Sequence, residues 1–376
     1  MELRPFWEDA AARPGSAALT RLTGDRDLAE ECAQDAFAQA LRRRAVEADK
    51  LREAAMLSPI EGVADPEDEA PAVPDDRLRL MFTCCHPALS LEAQVALTLR
   101  SQAGLSTAEI ARVFLVSEPT MSQRLVRADN KIQRSRIPFR VPPAHLLPGR
   151  LESVLTVLYL LFNEGYSGGG RVDLGREAIR LARVLAALMP DEPEALGLLA
   201  LMLLHDARRA ARQDAAGDLV PLEEQDRGAW DRAAIAEGAE ILERALRRQR
   251  AGKYQIQAAI AACHACAPSV AETDWPQIAQ LYARLARIAP GPVVELNRAV
   301  AVAMADGPAA GLSLVDALRD AGALAGYHLL PATRADLLRR LGRVAEAAEA
   351  YREALELSGS DAERRYLTRR LASLTP

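Results

Sequence analysis

Aromatic residues make up only 4% of this 376-residue chain, so its core must close through Ala- and Leu-rich helix packing rather than through large rings. Five cysteines are too few for a disulfide framework in a chain this long, which points to a reducing, cytoplasmic setting. The most apolar stretch, Val154 to Phe162, falls well short of the ~20 residues a membrane-spanning helix needs. The N-terminal residues MELRPFWEDAAARPG contain no apolar segment of the secretory-leader kind. An excess of positive charge is missing too. The net charge is −5, so the chain as a whole is no polyanion binder, and any nucleic-acid role must come from a local patch.

Recognisable chemistry is equally scarce. Asn163-Glu164-Gly165-Tyr166, with Gly168, Gly169 and Gly170 after it, follows a helical pattern and lacks the Lys-Ser/Thr of a phosphate loop. It reads as a helix end and connector; a ligand pocket involving Glu164, His205 and Asp206 is the lesser reading. Cys84-Cys85-His86 and Cys263-His264-x-Cys266 invite a zinc site, but adjacent cysteines suit one tetrahedral site poorly. The second group sits in the Ala-rich run AIAACHACA, where small buried side chains are expected, so packing is preferred and no metal is assigned. The paired carboxylates Glu223-Glu224 fall in a polar loop and are expected to be solvated. No nucleophile arrangement is supported by spacing. The chain is therefore expected to be neither an enzyme nor the carrier of a cofactor.

What is present is helix. Hydrophobic residues make up 49% and charged residues 26%, a globular balance with room for two or three domains. The most informative stretch runs from Leu105 to Arg134, LSTAEIARVFLVSEPTMSQRLVRADNKIQR. Ser106 and Glu109 form a Ser-x-x-Glu capping box that starts a first helix, with Ile110, Val113 and Phe114 as its apolar stripe. Leu115-Val116-Ser117 is the turn; Ser117 suits an N-cap, and Pro119 is tolerated in the first turn that follows.

At about 100° per residue, Met121, Leu125, Ala128 and Ile132 fall within about 60° of one another and make a core-facing seam. Thr120, Gln123, Arg124, Arg127, Asn130, Lys131 and Arg134 occupy a separate arc roughly 120° wide. Such a face suits the major groove: Arg and Gln read base edges, while Thr and Lys hold phosphates, and Ser117 at the turn is counted with them as a DNA-binding residue. Residues 100–140 hold eight Arg/Lys against Glu109, Glu118 and Asp129, a local balance of +5 that should give modest, salt-sensitive affinity.

Upstream, residues 16–57 read as one or two helices whose exposed side is acidic. The segment DRDLAEECAQDAFAQAL resembles the polymerase-binding helix of sigma factor region 2, and the helix-turn-helix resembles region 4. Together they resemble an extracytoplasmic-function (ECF) sigma factor of the sigma-70 family. The resemblance implies that Asp27, Glu30, Gln34, Asp35 and Phe37 contact core RNA polymerase and that the helix of 117–134 contacts the −35 promoter element.

A departure follows at once. The resemblance calls for an aromatic-containing stretch that melts the −10 element, then a basic helix that reads it. Here Ala40-Leu41 runs straight into Arg42-Arg43-Arg44, and no Trp, Tyr or Phe lies between Phe37 and Phe82. About twenty residues are missing relative to the pattern, which removes the platforms for unstacked bases. Arg42, Arg43, Arg44 and Arg52 remain as phosphate holders.

Residues 58–76, SPIEGVADPEDEAPAVPDD, carry four Pro and seven Asp/Glu with no Arg or Lys, and read as an extended linker. Helical pattern resumes over 77–141. There Ser90-Leu91-Glu92-Ala93 begins a helix that Gly104 ends. Pro138, Pro142, Pro143 and Pro148 then mark a boundary.

Residues 145–376 read as almost wholly helical. Within them 299–318 lies over 334–355, with Gly307 matching Gly342 at an offset of 35, Ala310 matching Ala345, and a Tyr351-x-x-Ala354-Leu355 signature. The spacing resembles tetratricopeptide (TPR) repeats, and with FTCCHPAL and the helices of 150–168 and 194–212 it resembles the ECF subgroup with a long TPR-like extension. The expected fold is all-α: a shortened region 2 (1–57), the linker, a region 4 domain (77–141) and a TPR-like domain (145–376). The expected function is promoter recognition for core polymerase, in the cytoplasm and without a membrane partner. A regulator that binds DNA or polymerase but cannot melt promoters stays open beside it. For the repeats, contact with a protein partner or with the chain itself is expected; sensing, autoinhibition and recruitment stay open as their role.

Overall fold

The computed structural model describes residues 76–374 apart from 103, 115, 139–141, 143–145, 167–171, 215–219, 323 and 359–360. The region 2 segment, its five polymerase-contact residues, nearly all of the acidic linker and Gly168, Gly169 and Gly170 lie outside the described residues. Among the described residues the fold is all-helical, with no strand. It falls into two compact units, whose described parts are 76–189 and 190–374.

In the first unit the helices are α1 (Asp76–Cys84), α2 (Leu91–Gln102), α3 (Thr107–Val113), α4 (Glu118–Arg134), α5 (Pro148–Tyr166) and α6 (Val172–Leu188). Gly104, at φ 60°, ends α2 as the sequence requires, and Leu105 N–H reaches back to the Leu99 carbonyl at 3.2 Å. Met81, Phe82, Leu99, Ile110, Met121 and Leu125 are buried and join α1–α4 into one core. α5 packs on α2 and on α6, and α1 meets both α5 and α6. Every residue from Val154 to Phe162 is buried, which explains why the run carries no polar stripe. Arg150 is also buried, and its Nη1 donates to the Phe82 carbonyl at 3.3 Å. At the α5–α6 crossing a Cβ on Gly165 would collide with the Gly175 backbone, so only glycine permits that approach.

The second unit continues with α7 (Pro193–Asp206), α8 (Arg232–Leu246), α9 (Lys253–Ala265), α10 (Trp275–Ile288), α11 (Pro292–Ala305), α12 (Pro308–Asp320), α13 (Leu329–Arg340), α14 (Val344–Leu357) and α15 (Asp361–Ala372). Each helix packs against the next in sequence. The 35-residue offset is visible in the helices themselves: α11 ends at Ala305 and α13 at Arg340, and the turn glycines Gly307 and Gly342 both adopt positive φ, 103° and 74°. The close crossing of α11 and α12 is made by Gly311, where a Cβ would meet Ala303 and come within 2.7 Å of the Ala299 carbonyl; Ala310, singled out from the repeat, is only half-buried. Tyr351 and Ala354 are fully buried in the core of α11–α15.

Candidate nucleic-acid interface

The capping box forms as the sequence predicts. Ser106 N–H donates to Glu109 Oε2 at 2.7 Å, and Glu109 N–H donates to Ser106 Oγ at 3.2 Å. Ala111 is buried, and Val116 N–H donates to its carbonyl at 3.0 Å, which tightens the turn into α4. Ser117 holds the extended backbone of an N-cap, φ −70° and ψ 149°, but its hydroxyl does not bond a backbone N–H. It pairs with the Thr120 hydroxyl at 2.8 Å instead. The first-turn N–H groups of α4 thus lose one side-chain acceptor, and Pro119 removes one of the donors that would need it.

Along α4 the seam is turned inward: Met121, Leu125 and Ala128 are buried, and Ile132 is half-buried. Ser117, Gln123, Arg127, Asn130, Lys131 and Arg134 are exposed, whereas Thr120 and Arg124 are half-buried. Their placement follows from angle. At about 100° per residue Gln123 and Asn130 lie about 170° from the seam, but Arg124 lies only about 70° away. That brings Arg124 Nη1 to Glu92 Oε2 of α2 at 3.0 Å. Asp129, which falls outside the polar arc, accepts from Arg100 Nη2 of α2 with both carboxylate oxygens, at 2.9 and 2.7 Å.

Arg100 and Arg124 therefore face carboxylates within the domain, and among the described side chains the outward charge rests on Arg127, Lys131, Arg134 and, just beyond α4, Arg136. Arg127 Nε also donates to the Gln123 carbonyl at 3.3 Å, which steadies its stem. One side chain on this face has no counterpart in the sequence reading. Val126 is 54% exposed, about 130° from the seam and flanked by Gln123, Arg127 and Asn130. A β-branched apolar residue just outside the edge of the polar arc, away from the seam, was the available signal.

The remaining chemical candidates are packed or tied. Burial pushes the Cys85 thiol up, and it pushes the Cys263 thiol up to about 12, so neither offers a thiolate. Cys263 Sγ donates to Gln277 Oε1 at 3.4 Å. Burial, then the nearby Arg150, lowers the His86 pKa, and its Nδ1 accepts from Ala88 N–H at 3.1 Å. Among the described residues no three His, Cys, Asp or Glu side chains converge as a metal site would require. His205 is buried with Nδ1 3.4 Å from Arg208 Nη2, and Asp206 pairs with Arg209. The Glu164 side chain lies outside the described residues. The expectation for Glu223 fails: both of its carboxylate oxygens are buried, while Glu224 is exposed.

With this geometry in place, comparison with known proteins identifies the class. Residues 79–131, which hold most of α1, all of α2 and α3 and most of α4, match sigma-70 region 4. Residues 150–246 match a family of unknown function, DUF6596, which takes in α5 to α8. The chain is 42% identical over 407 residues to an uncharacterized protein of Rhizobium meliloti (strain 1021), covering 98% of this chain and 96% of the relative. By that near full-length likeness it belongs to the same family as the Rhizobium protein, and its region 4 domain supports membership of the sigma-70 family. No solved structure matches the chain. Among the described residues no helix is long and apolar enough to cross a membrane.

Proposed function

We propose that the protein is an ECF-type sigma factor that directs core RNA polymerase to promoters, with α4 reading the −35 element. The observation that carries this reading is the sorting of α4: an apolar seam sealed into the domain and an opposite face of Gln123, Arg127, Asn130, Lys131 and Arg134 left in water. Region 4 likeness over 79–131 supports a role in transcription initiation through promoter DNA. In this reading Ser117 and Thr120 hold a phosphate beside the turn, and Gln123 and Arg127 face base edges. Val126 meets a thymine methyl, and Lys131 and Arg134 follow the backbone. Arg124 contributes only by leaving Glu92.

Asp27, Glu30, Gln34, Asp35 and Phe37 dock on the core enzyme, and the C-terminal helical domain of 145–376, read as TPR-like, sets activity. No chemistry belongs to the chain, which needs no cofactor; the polymerase makes the RNA, in the cytoplasm. Runoff transcription with purified core polymerase tests the reading. Promoter-dependent transcript supports it, and absence of both polymerase binding and transcript removes it.

One observation favours a second reading. No Trp, Tyr or Phe lies between Phe37 and Phe82, where the resemblance calls for the aromatic melting segment. A shortfall of the melting segment after Phe37 leaves a protein that binds DNA or polymerase without opening the duplex. Permanganate reactivity of −10 thymines separates the two: binding without reactivity selects the regulator.

A further inference from the structure

Two ion pairs of opposite polarity join α2 to α4. Glu92 of α2 accepts from Arg124 Nη1 at 3.0 Å, and Arg100 Nη2 of α2 donates to both oxygens of Asp129 at 2.9 and 2.7 Å. The pairs stand on opposite flanks of the buried seam. At about 100° per residue, Arg124 lies about 70° to one side of the line through Met121, Leu125, Ala128 and Ile132, and Asp129 lies about 70° to the other. They also bracket the middle of α4, which runs from Glu118 to Arg134.

This placement restrains a motion that the seam leaves loose. Burial of Met121, Leu125 and Ala128, with Ile132 half-buried, holds α4 against the domain. Apolar burial is non-directional, however, and opposes a small roll of the helix about its own axis only weakly. A charged pair on each flank opposes roll in both senses, because a turn either way stretches one of them. With side chains reaching about 5–6 Å from the axis, a roll of about 20° carries the tips of Gln123 and Arg127 roughly 2 Å sideways. A hydrogen bond to a base edge tolerates only a few tenths of an ångström. Attraction to phosphates is sequence-independent and barely changes over such a shift. Roll therefore governs which bases are read, and hardly affects how strongly the duplex is held.

We infer that Arg100 and Asp129 are positioning residues for base recognition: set against the Glu92–Arg124 pair on the opposite flank, they fix the roll of α4 and so its sequence preference. The inference rests on the reading of α4 as the helix that contacts DNA. A carboxylate on such a helix repels phosphates and lowers affinity. Its presence at 129 is explained by its hold on Arg100. The Arg100 and Asp129 side chains are 41% and 39% exposed, so this pair shifts the population of roll angles by a few-fold and not by orders of magnitude.

The test uses the full chain and a library of duplexes randomised over about ten positions, one turn of B-DNA. Bound molecules are sequenced, and total affinity for one fixed duplex is measured alongside. Asp129→Asn frees Arg100 and should tighten total binding, whereas Arg100→Gln leaves Asp129 unanswered and should weaken it. Both should nevertheless flatten the selected preference about threefold, at several positions together. The reversed pair, Arg100→Glu with Asp129→Arg, should restore the wild-type preference, a rescue that a change in net charge or in stability alone does not give. Preference that is unchanged in both single variants, lost at one position only, or not restored by the reversed pair overturns the inference. A wild type that enriches no sequence refutes base reading by α4 itself, and the positioning role falls with it.

Discussion

Replacing Glu92 by Ala releases Arg124 from α2, and the consequences for stability and for DNA binding point in opposite directions. The pair is 3.0 Å long, with 34% of the Arg124 side chain and 19% of the Glu92 side chain exposed. Fully exposed pairs contribute about 0.2–1 kcal/mol and hydrogen bonds to charged groups about 1.5–3 kcal/mol; this half-sheltered pair should show a coupling of about 1 kcal/mol. Urea unfolding of Glu92→Ala, Arg124→Ala and the double variant gives that coupling directly. In DNA binding, Glu92→Ala frees a cation beside the phosphates, so affinity at low salt rises and the log–log salt slope steepens by about 0.9. Arg124→Ala removes a charge already answered within the domain and leaves the slope almost unchanged.

The sequence alone assigns Arg124 to base reading, where its loss costs about 1–3 kcal/mol at one position of the site. Arg124→Ala that relaxes base preference at one position, with Glu92→Ala silent in both assays, would refute the ion-pair account.

Four further outcomes follow from the same geometry. Val126→Ser should leave unfolding unchanged, since the side chain is 54% exposed, yet cost about 0.8 kcal/mol on thymine-containing sites and nothing when deoxyuridine replaces the contacted thymine. Gly311→Ala should destabilise the protein by about 1–3 kcal/mol through overpacking against Ala303, whereas Gly291→Ala, with nothing near its Cβ position, should be nearly silent in the same urea titration. Of the four described cysteines, the exposed Cys266 should react first with a thiol reagent at pH 8 in the native state, although desolvation holds its thiol above the ordinary range and slows it. Because the folded pKa of Cys263 is raised from 9.0 to about 12, its stabilising contribution is intact below pH 9 and falls between pH 9 and about 12. Thermal melts of the wild type and Cys263→Ala across that window should converge as pH rises.

The parts of the interface legible in the sequence are those set by local spacing. Ser106 and Glu109 cap α3 because three residues separate them, and Met121, Leu125 and Ala128 are buried because helical period puts them on one side. Arg124 and Asp129 were not legible, because each takes its partner from α2, some thirty residues away, and the angle of that crossing leaves no periodic trace. Ser117 shows the same in small: its backbone is that of an N-cap, but a neighbouring hydroxyl wins the side chain. Glu223 looked solvated by composition, but both of its carboxylate oxygens are buried in a loop that faces α15 across a cavity, a placement that loop sequence does not encode. The repeat was visible because Gly307 and Gly342 both supply the positive φ that ends a helix.

The outward face of α4 is the claim on which the transcription account stands, and duplex binding as a function of salt tests it most directly. Fluorescence anisotropy with a labelled duplex at low ionic strength should show binding by the wild type. Substituting Arg127, Lys131 and Arg134 together by Ala should weaken binding at least tenfold and flatten the salt slope by about two to three. Superimposable curves for the wild type and the folded triple variant would contradict the account.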